Sequence, residues 1–204
     1  MESKSAIFQL EELEKRSGAP MRLAAEGWGS EWQILVAIIM SARTRDEVTI
    51  VVAEKLFAKY KTVVALASAS ATDVAKIIHP VNFFRNKTKS VVGAAKVLAE
   101  NFGGIPPHEM EKLLAIPGVG RKTANVFLSE VGKDAVGVDT HVAYISQKLG
   151  WTAHTNPHKI EGDLKKLFPQ NYWRRINTIC VRFGKTHLSR RKKDELLAEI
   201  KTLE

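Results

Sequence analysis

Two residues in this chain could carry covalent chemistry, Lys122 and Asp139. A lysine amine is a nucleophile only when neutral, and burial or neighbouring cations favour that form. Lys122 directly follows Arg121, and together they lead into an apolar helical run, Thr123-Ala-Asn-Val-Phe-Leu128. Before them lies a tight hairpin, Pro117-Gly-Val-Gly120. Proline lacks an N–H and suits a chain leaving a helix. Gly118 and Gly120 can take backbone angles that other residues resist, and they let a ligand approach the main chain. The helix start offers free N–H groups backed by the positive end of a dipole, which makes an anion site. The same positive field opposes protonation of Lys122. Alone, such a hairpin reads more simply as a phosphate grip than as a reaction centre.

Asp139 stands in Gly137-Val-Asp-Thr-His141. It precedes Thr140 and His141 at the start of an expected helix, so it can serve as an N-cap. A capping carboxylate is rigidly aimed, and such a group can accept a proton from an amine or stabilise a sugar cation. His141 fits a supporting role, holding the Asp139 loop. Spacing does not by itself show that Lys122 and Asp139 meet.

The surrounding pattern is helical. Residues 4–16 place Ile7, Leu10 and Leu13 on one face, and Gly18-Ala-Pro20 breaks that helix. Ser30 is an expected N-cap for a helix from Glu31 to about Ala42, whose centre Ile34-Leu-Val-Ala-Ile-Ile-Met40 is apolar all round and therefore buried. Asp46 is the expected cap of a helix over 47–59, with Val48, Val51, Val52 and Leu56 on one face. The link Ser41-Ala-Arg-Thr-Arg-Asp46 between these two helices is a contact loop or a solvated turn.

Short helices are expected near 62–68 and 72–78, the second capped by Thr72 or Asp73, and Pro80 follows it. Asn82, Phe83, Phe84, Arg85, Lys87 and Lys89 then mix aromatics with cations. Stacking on bases with phosphate neutralisation needs these types. Otherwise the lysines are solvated, and one of the two phenylalanines is core in either case. Further helices are expected over 86–101, with Val91, Val92, Ala95 and Leu98 inward, and over 108–115, 140–149, from Asn156-Pro157, 171–184 and 195–203. No convincing strand, internal repeat or flexible linker is evident. The fold class is all-α, with about ten helices or slightly more.

The net charge is +9, from 31 basic and 22 acidic residues, which favours a polyanion partner. No apolar run approaches the roughly 18 residues of a membrane span. The charged start of the chain does not read as a signal peptide. A single cysteine, Cys180, excludes an intramolecular disulfide and a cysteine-rich metal cluster. These features fit an intracellular protein with no membrane partner, and they call for no metal and no cofactor.

The pair Leu114-Ala-Ile-Pro-Gly-Val-Gly-Arg-Lys-Thr-Ala-Asn-Val126 and Val138-Asp-Thr-His141 resembles the endonuclease III family of helix–hairpin–helix DNA glycosylases. Ile38-Ile-Met-Ser-Ala-Arg-Thr-Arg-Asp46, Pro80 to Lys87 and Phe183-Gly-Lys185 extend the resemblance to roughly residues 22–187. It implies the HhH-GPD fold, two helical lobes with a cleft between them. It places one lobe at 23–133 and the other at 1–22 plus 134–204. It implies a bifunctional DNA glycosylase and AP lyase for oxidised pyrimidines of the thymine glycol type in duplex DNA, acting as a monomer. Lys122 would attack C1′ and Asp139 would assist. Gly118, Val119, Gly120 and Arg121 would grip phosphate. Arg43 stands where the family has a gap-filling glutamine, and Asn82 or Phe83 matches the tip of a second DNA-probing loop, with Arg85 and Lys87 beside it.

The C-terminus departs from the family. The usual member carries four cysteines for a [4Fe–4S] cluster; here His187 stands at the first position and no cysteine follows. One cysteine cannot supply four thiolates. The run Arg190-Arg-Lys-Lys193 and the last helix occupy that place, with Trp173, Phe183 and Leu188 expected to pack there, as a DNA-facing or fold-capping replacement. Glycosylases for uracil, mismatched thymine or a damaged purine remain alternatives, as does a helix–hairpin–helix DNA-binding protein without chemistry.

Overall fold

The computed structural model describes residues 2–18 and 21–203. Among these the chain is all-helical, without a strand. Its elements are α1 (Ser3–Lys15), α2 (Glu31–Ser41), α3 (Asp46–Lys59), α4 (Val63–Ala67), α5 (Ala71–Ile78), α6 (Phe84–Asn101), α7 (Met110–Leu114), α8 (Arg121–Glu130), α9 (Thr140–Leu149), α10 (Pro157–Leu167), α11 (Trp173–Thr186) and α12 (Arg190–Thr202), with a 3-10 turn at Gln170–Tyr172. Two compact units result, one of Arg22–Val131 and one of Met1–Met21 with Gly132–Glu204. Gly18 takes a left-handed turn; Ala19 and Pro20, the rest of the expected break, lie outside the described residues.

The Arg22–Val131 unit is built on α2. Leu35, Val36, Ala37 and Met40 are fully buried, as an all-apolar helix requires. Helix α6 packs against α2, α4 and α5. Its inner face carries Val91, Val92, Ala94, Ala95 and Leu98, and burying each large side chain stabilises the fold by about 1.5–3 kcal/mol. Trp28 and Trp32 meet Phe57 edge-on at 5.0 and 5.2 Å. Two caps differ from expectation. Ser70, not Thr72 or Asp73, caps α5, accepting from the Asp73 amide; and Asp46 is the first residue of α3 rather than its cap. Val51 is half exposed, because the buried stripe of α3 runs through Thr49, Val52, Ala53 and Leu56.

The other unit packs α1 against α11 and α12, and α9 against α10, α11 and α12. Leu10, Leu13, Ile145, Leu164, Ile176, Phe183, Leu197 and Ile200 are buried in its core. Trp151 adds a polar tie, its Nε1–H donating to Gln9 Oε1 at 2.8 Å. Helix α12 begins at Arg190 rather than Glu195, because Ser189 caps it. The basic run is thus the first turn of a helix. Tyr144 sits beside it: its hydroxyl donates to the Asp194 carboxylate, and Lys148, Arg190 and Lys193 lie 5.6–6.0 Å from its ring centre. Burial and the Asp194 bond push the Tyr144 hydroxyl's pKa up. Leu188, expected in the packing, is 86% exposed. The contacts at that point are made by polar groups instead. His187 Nε2 bonds the Arg16 carbonyl at 2.8 Å, and Thr186 donates to the Ser17 carbonyl.

Candidate active site

The hairpin between α7 and α8 shows why its sequence is glycine-rich at one point and merely open at another. Gly118 has φ +81, and a Cβ there would fall 2.6 Å from Ser90 Cβ and 3.2 Å from Ile39 Cγ2. Any side chain is therefore strained and crowded at once. Gly120 has an ordinary φ of −95, and a Cβ there would meet nothing in the chain within 4 Å. Nothing inside the protein requires a glycine at 120. Val119 differs from expectation. Its side chain is buried and its N–H donates to the Ile116 carbonyl at 3.0 Å, so that amide is already engaged within the turn. Helix α8 starts directly at Arg121 and Lys122, both exposed, two residues earlier than Thr123.

Asp139 is the N-cap of α9, with Oδ1 accepting from the Val142 amide at 2.8 Å. This bond fixes the carboxylate's direction. Thr140 and His141 open the helix behind it. His141 packs closely on α11: a Cβ on Gly184 would overlap Nδ1 of the imidazole and lie 2.8 Å from Cε1. Gly184 is therefore a site residue that the sequence reading missed. An isolated glycine inside a helix is the signal that could have found it. Below the cap, Cys180 is fully buried. Burial, with the Asp139 charge added, pushes its thiol well above the usual range.

A second group of expected contacts lies in the Arg22–Val131 unit. Arg43 and Phe83 are the two non-glycine residues with positive φ among those described, at +56 and +59. Each such conformation costs about 1–3 kcal/mol. The two side chains come together, with the Arg43 guanidinium 5.0 Å from the Phe83 ring centre. Phe83 is 56% exposed and Phe84 half-buried, so neither is core. Asn82 and Arg85 are exposed, and Arg85 lies 5.6 Å from the Phe84 ring centre. Lys87 overturns its expected place on a DNA-facing surface. It is only 8% exposed, and its ammonium turns inward to the end of α2, donating to the carbonyls of Met40 (2.6 Å) and Ala42 and to Thr44 Oγ1 (3.0 Å). Burial pushes its pKa down to about 8.

With this geometry in hand, comparison with known proteins is direct. The HhH-GPD superfamily of base excision DNA repair proteins matches residues 36–170. This chain belongs to that superfamily. Endonuclease III of Thermotoga maritima is 42% identical over 156 residues, 76% of this chain and 73% of its own. The Synechocystis endonuclease III is 43% identical over 162 residues, 78% of this chain and 74% of its own. A solved structure of a trapped endonuclease III–DNA covalent intermediate superposes with a TM-score of 0.83 at 28% identity, covering 93% of this chain and 89% of that one. A thermostable thymine-DNA glycosylase shares the fold, with a TM-score of 0.75 at 19% identity. Together the family and the endonuclease III homologues support DNA glycosylase and AP lyase chemistry in base excision repair.

An iron–sulfur cluster does not fit this chain's residues. Its one cysteine is fully buried in α11 with its thiol held protonated, and no group of three or more metal-binding side chains gathers among the described residues.

Proposed function

We propose that this base excision repair glycosylase and AP lyase removes oxidised pyrimidines of the thymine glycol type from duplex DNA, acting as a monomer at the nucleoid. The observation that carries the reading is the hairpin–lysine arrangement. Gly118 forces the turn, Gly120 leaves the main chain open with no internal reason to do so, and Lys122 follows in the first turn of α8. A phosphate at Gly120 and the start of α8 would meet an open main chain and the positive helix end. The exposed Arg121 adds a cation there.

In the reaction, the neutral Lys122 amine adds to C1′ of the damaged nucleotide. The C1′–N glycosidic bond breaks and its electron pair leaves with the base. Loss of the amine proton and ring opening give an iminium ion. Removal of a C2′ proton then drives out the 3′-phosphate as the C3′–O bond breaks, and water releases Lys122. Asp139 carries the negative charge that the cationic sugar needs, and its bond to the Val142 amide holds that charge in one direction. The base must leave the stack to be reached.

Sodium borohydride tests this. With a thymine glycol or abasic duplex, the wild-type protein should form a covalent adduct and Lys122→Gln should form none. Absence of an adduct from the wild-type protein on both substrates removes the lyase reading. Efficient release of uracil, but not of thymine glycol, would replace the substrate class.

A further inference from the structure

Lys87 has no part in the chemistry above, yet it is one of the most thoroughly engaged cations in the Arg22–Val131 unit. Its three N–H groups meet three acceptors, Met40 O, Ala42 O and Thr44 Oγ1. Two of these are main-chain carbonyls from the end of α2 and the link that follows, where a helix leaves such groups without partners. The same link is held from the other side. The Asn82 main-chain N–H donates to Thr44 Oγ1 at 3.1 Å, and Asn82 Nδ2 donates to the Arg43 carbonyl at 2.6 Å. Two loops far apart in sequence are thereby tied together around one hydroxyl, that of Thr44.

What this knot holds is unusual. Arg43 and Phe83, one from each loop, both stand in the left-handed region and stack on each other. Backbone strain of this kind persists only where the surroundings over-determine it. Here the surroundings are the bonds of Lys87, Thr44 and Asn82. The outcome is an exposed aromatic ring and a cation presented as one preformed unit.

We propose that Lys87 is a positioning residue that clamps the 41–45 and 79–83 links into one rigid edge, so that stacked Arg43 and Phe83 meet duplex DNA as a single strand-opening unit. The proposal rests on the glycosylase reading above. A preformed edge loses no conformational freedom when it enters the duplex, so the clamp matters when a base pair must be opened and matters little when the pair is already open.

The test uses Lys87→Met and two substrates with the same lesion, one fully paired and one with an abasic analogue opposite. On the paired duplex, single-turnover excision should fall by about 10- to 100-fold, the scale of a small misplacement. On the opened duplex the loss should be several-fold smaller. 2-Aminopurine opposite the lesion should brighten with the wild-type protein and much less with the variant. Equal losses on both substrates, or no loss on the paired one, overturn the proposal. Should Lys87→Met fail to fold, Thr44→Val keeps the side-chain shape and removes the shared hydroxyl. It must show the same selective loss at smaller amplitude, and parity between substrates overturns the proposal. Amide hydrogen exchange over residues 42–45 and 82–84 reads the clamp without DNA. Unchanged exchange in Lys87→Met removes the clamp, whereas a wild-type protein that traps no DNA removes only the enzymatic reading.

Discussion

Two helices in this protein open on basic residues and use them in opposite ways. Helix α8 begins with Arg121 and Lys122 after a glycine hairpin, and Lys122 is left to solvent at the end of an uncrowded main chain. Helix α12 begins with Arg190, Arg191, Lys192 and Lys193 after a serine cap. There, Arg190 and Lys193 fold back over Tyr144, and Tyr144 and Lys148 share Asp194. Burial pushes the Lys193 ammonium down. Charge alone makes the two runs look alike. What separates them is how far the fold turns the charges back on itself: Arg190 and Lys193 of the second run serve Tyr144, whereas Lys122 in the first is exposed to an outside anion.

The sharpest way to break this comparison is at Asp139, which both caps a helix and is proposed to serve the reaction. Asparagine caps helices about as well as aspartate. Asp139→Asn should therefore unfold at nearly the wild-type temperature while base excision falls by about 10²- to 10⁴-fold. Equal loss of stability and activity would make Asp139 a cap alone.

Gly184→Ala comes next. The added Cβ must displace His141, which follows the cap by one helical residue. Overpacking of this kind costs about 1–3 kcal/mol. Excision should fall with it by roughly 10-fold, since a shifted imidazole acts on the orientation of the cap. A thermal melt with single-turnover kinetics checks both, and replacing His141 by alanine in the same chain should restore stability without restoring rate.

Much of this was readable before any coordinates. The apolar centre of α2, the bounds of α9 with its Asp139 cap, and the hairpin at Pro117–Gly120 all follow from local chemistry. The errors at Lys87 and Leu188 share a cause, and the one at Val119 is local. Lys87 reads as a surface cation because lysine usually is one, but the helical period puts it on the same face as Val91, Ala94, Ala95 and Leu98. Its acceptors lie on a different helix, so nothing near it in sequence announces them. Leu188 reads as core because leucine usually is; the polar bonds of Thr186 and His187 hold that segment and leave it outside. Val119 reads as a phosphate contact, yet its amide already closes the turn. Local pattern sets the elements; for Lys87 and for the Thr186–His187 segment, partners from distant elements decide what each polar group can still do.

Lys87 also gives the comparison a pH test. Its folded pKa of about 8 lies below the ordinary lysine value of 10.5. Between these values the unfolded chain binds more protons than the folded one, so this group's contribution to stability rises with pH across that window. Below pH 8 both states carry the proton and the penalty of burying it is constant. The wild-type protein should therefore gain stability relative to Lys87→Met as pH rises from 8 to 10, read as the difference between their urea midpoints. A difference that falls with pH reverses the sign and rejects a desolvated ammonium.

The smallest expected effects separate the two basic runs most directly. Removing one cation that neutralises a phosphate lowers the slope of log affinity against log salt by about 1. Arg121→Gln should show that decrease on undamaged duplex. Tyr144→Phe should leave the slope unchanged and lower the melting temperature, because it removes the hydroxyl that bonds Asp194 without altering any charge. Deleting a hydrogen bond of this type costs about 1 kcal/mol, or about 2–4 °C in a chain of this size. Arg190→Gln joins the first class if α12 faces DNA and the second if its charge serves the fold. The geometry around Tyr144 assigns it to the second, so its salt slope should match that of the wild-type protein while its melting temperature falls.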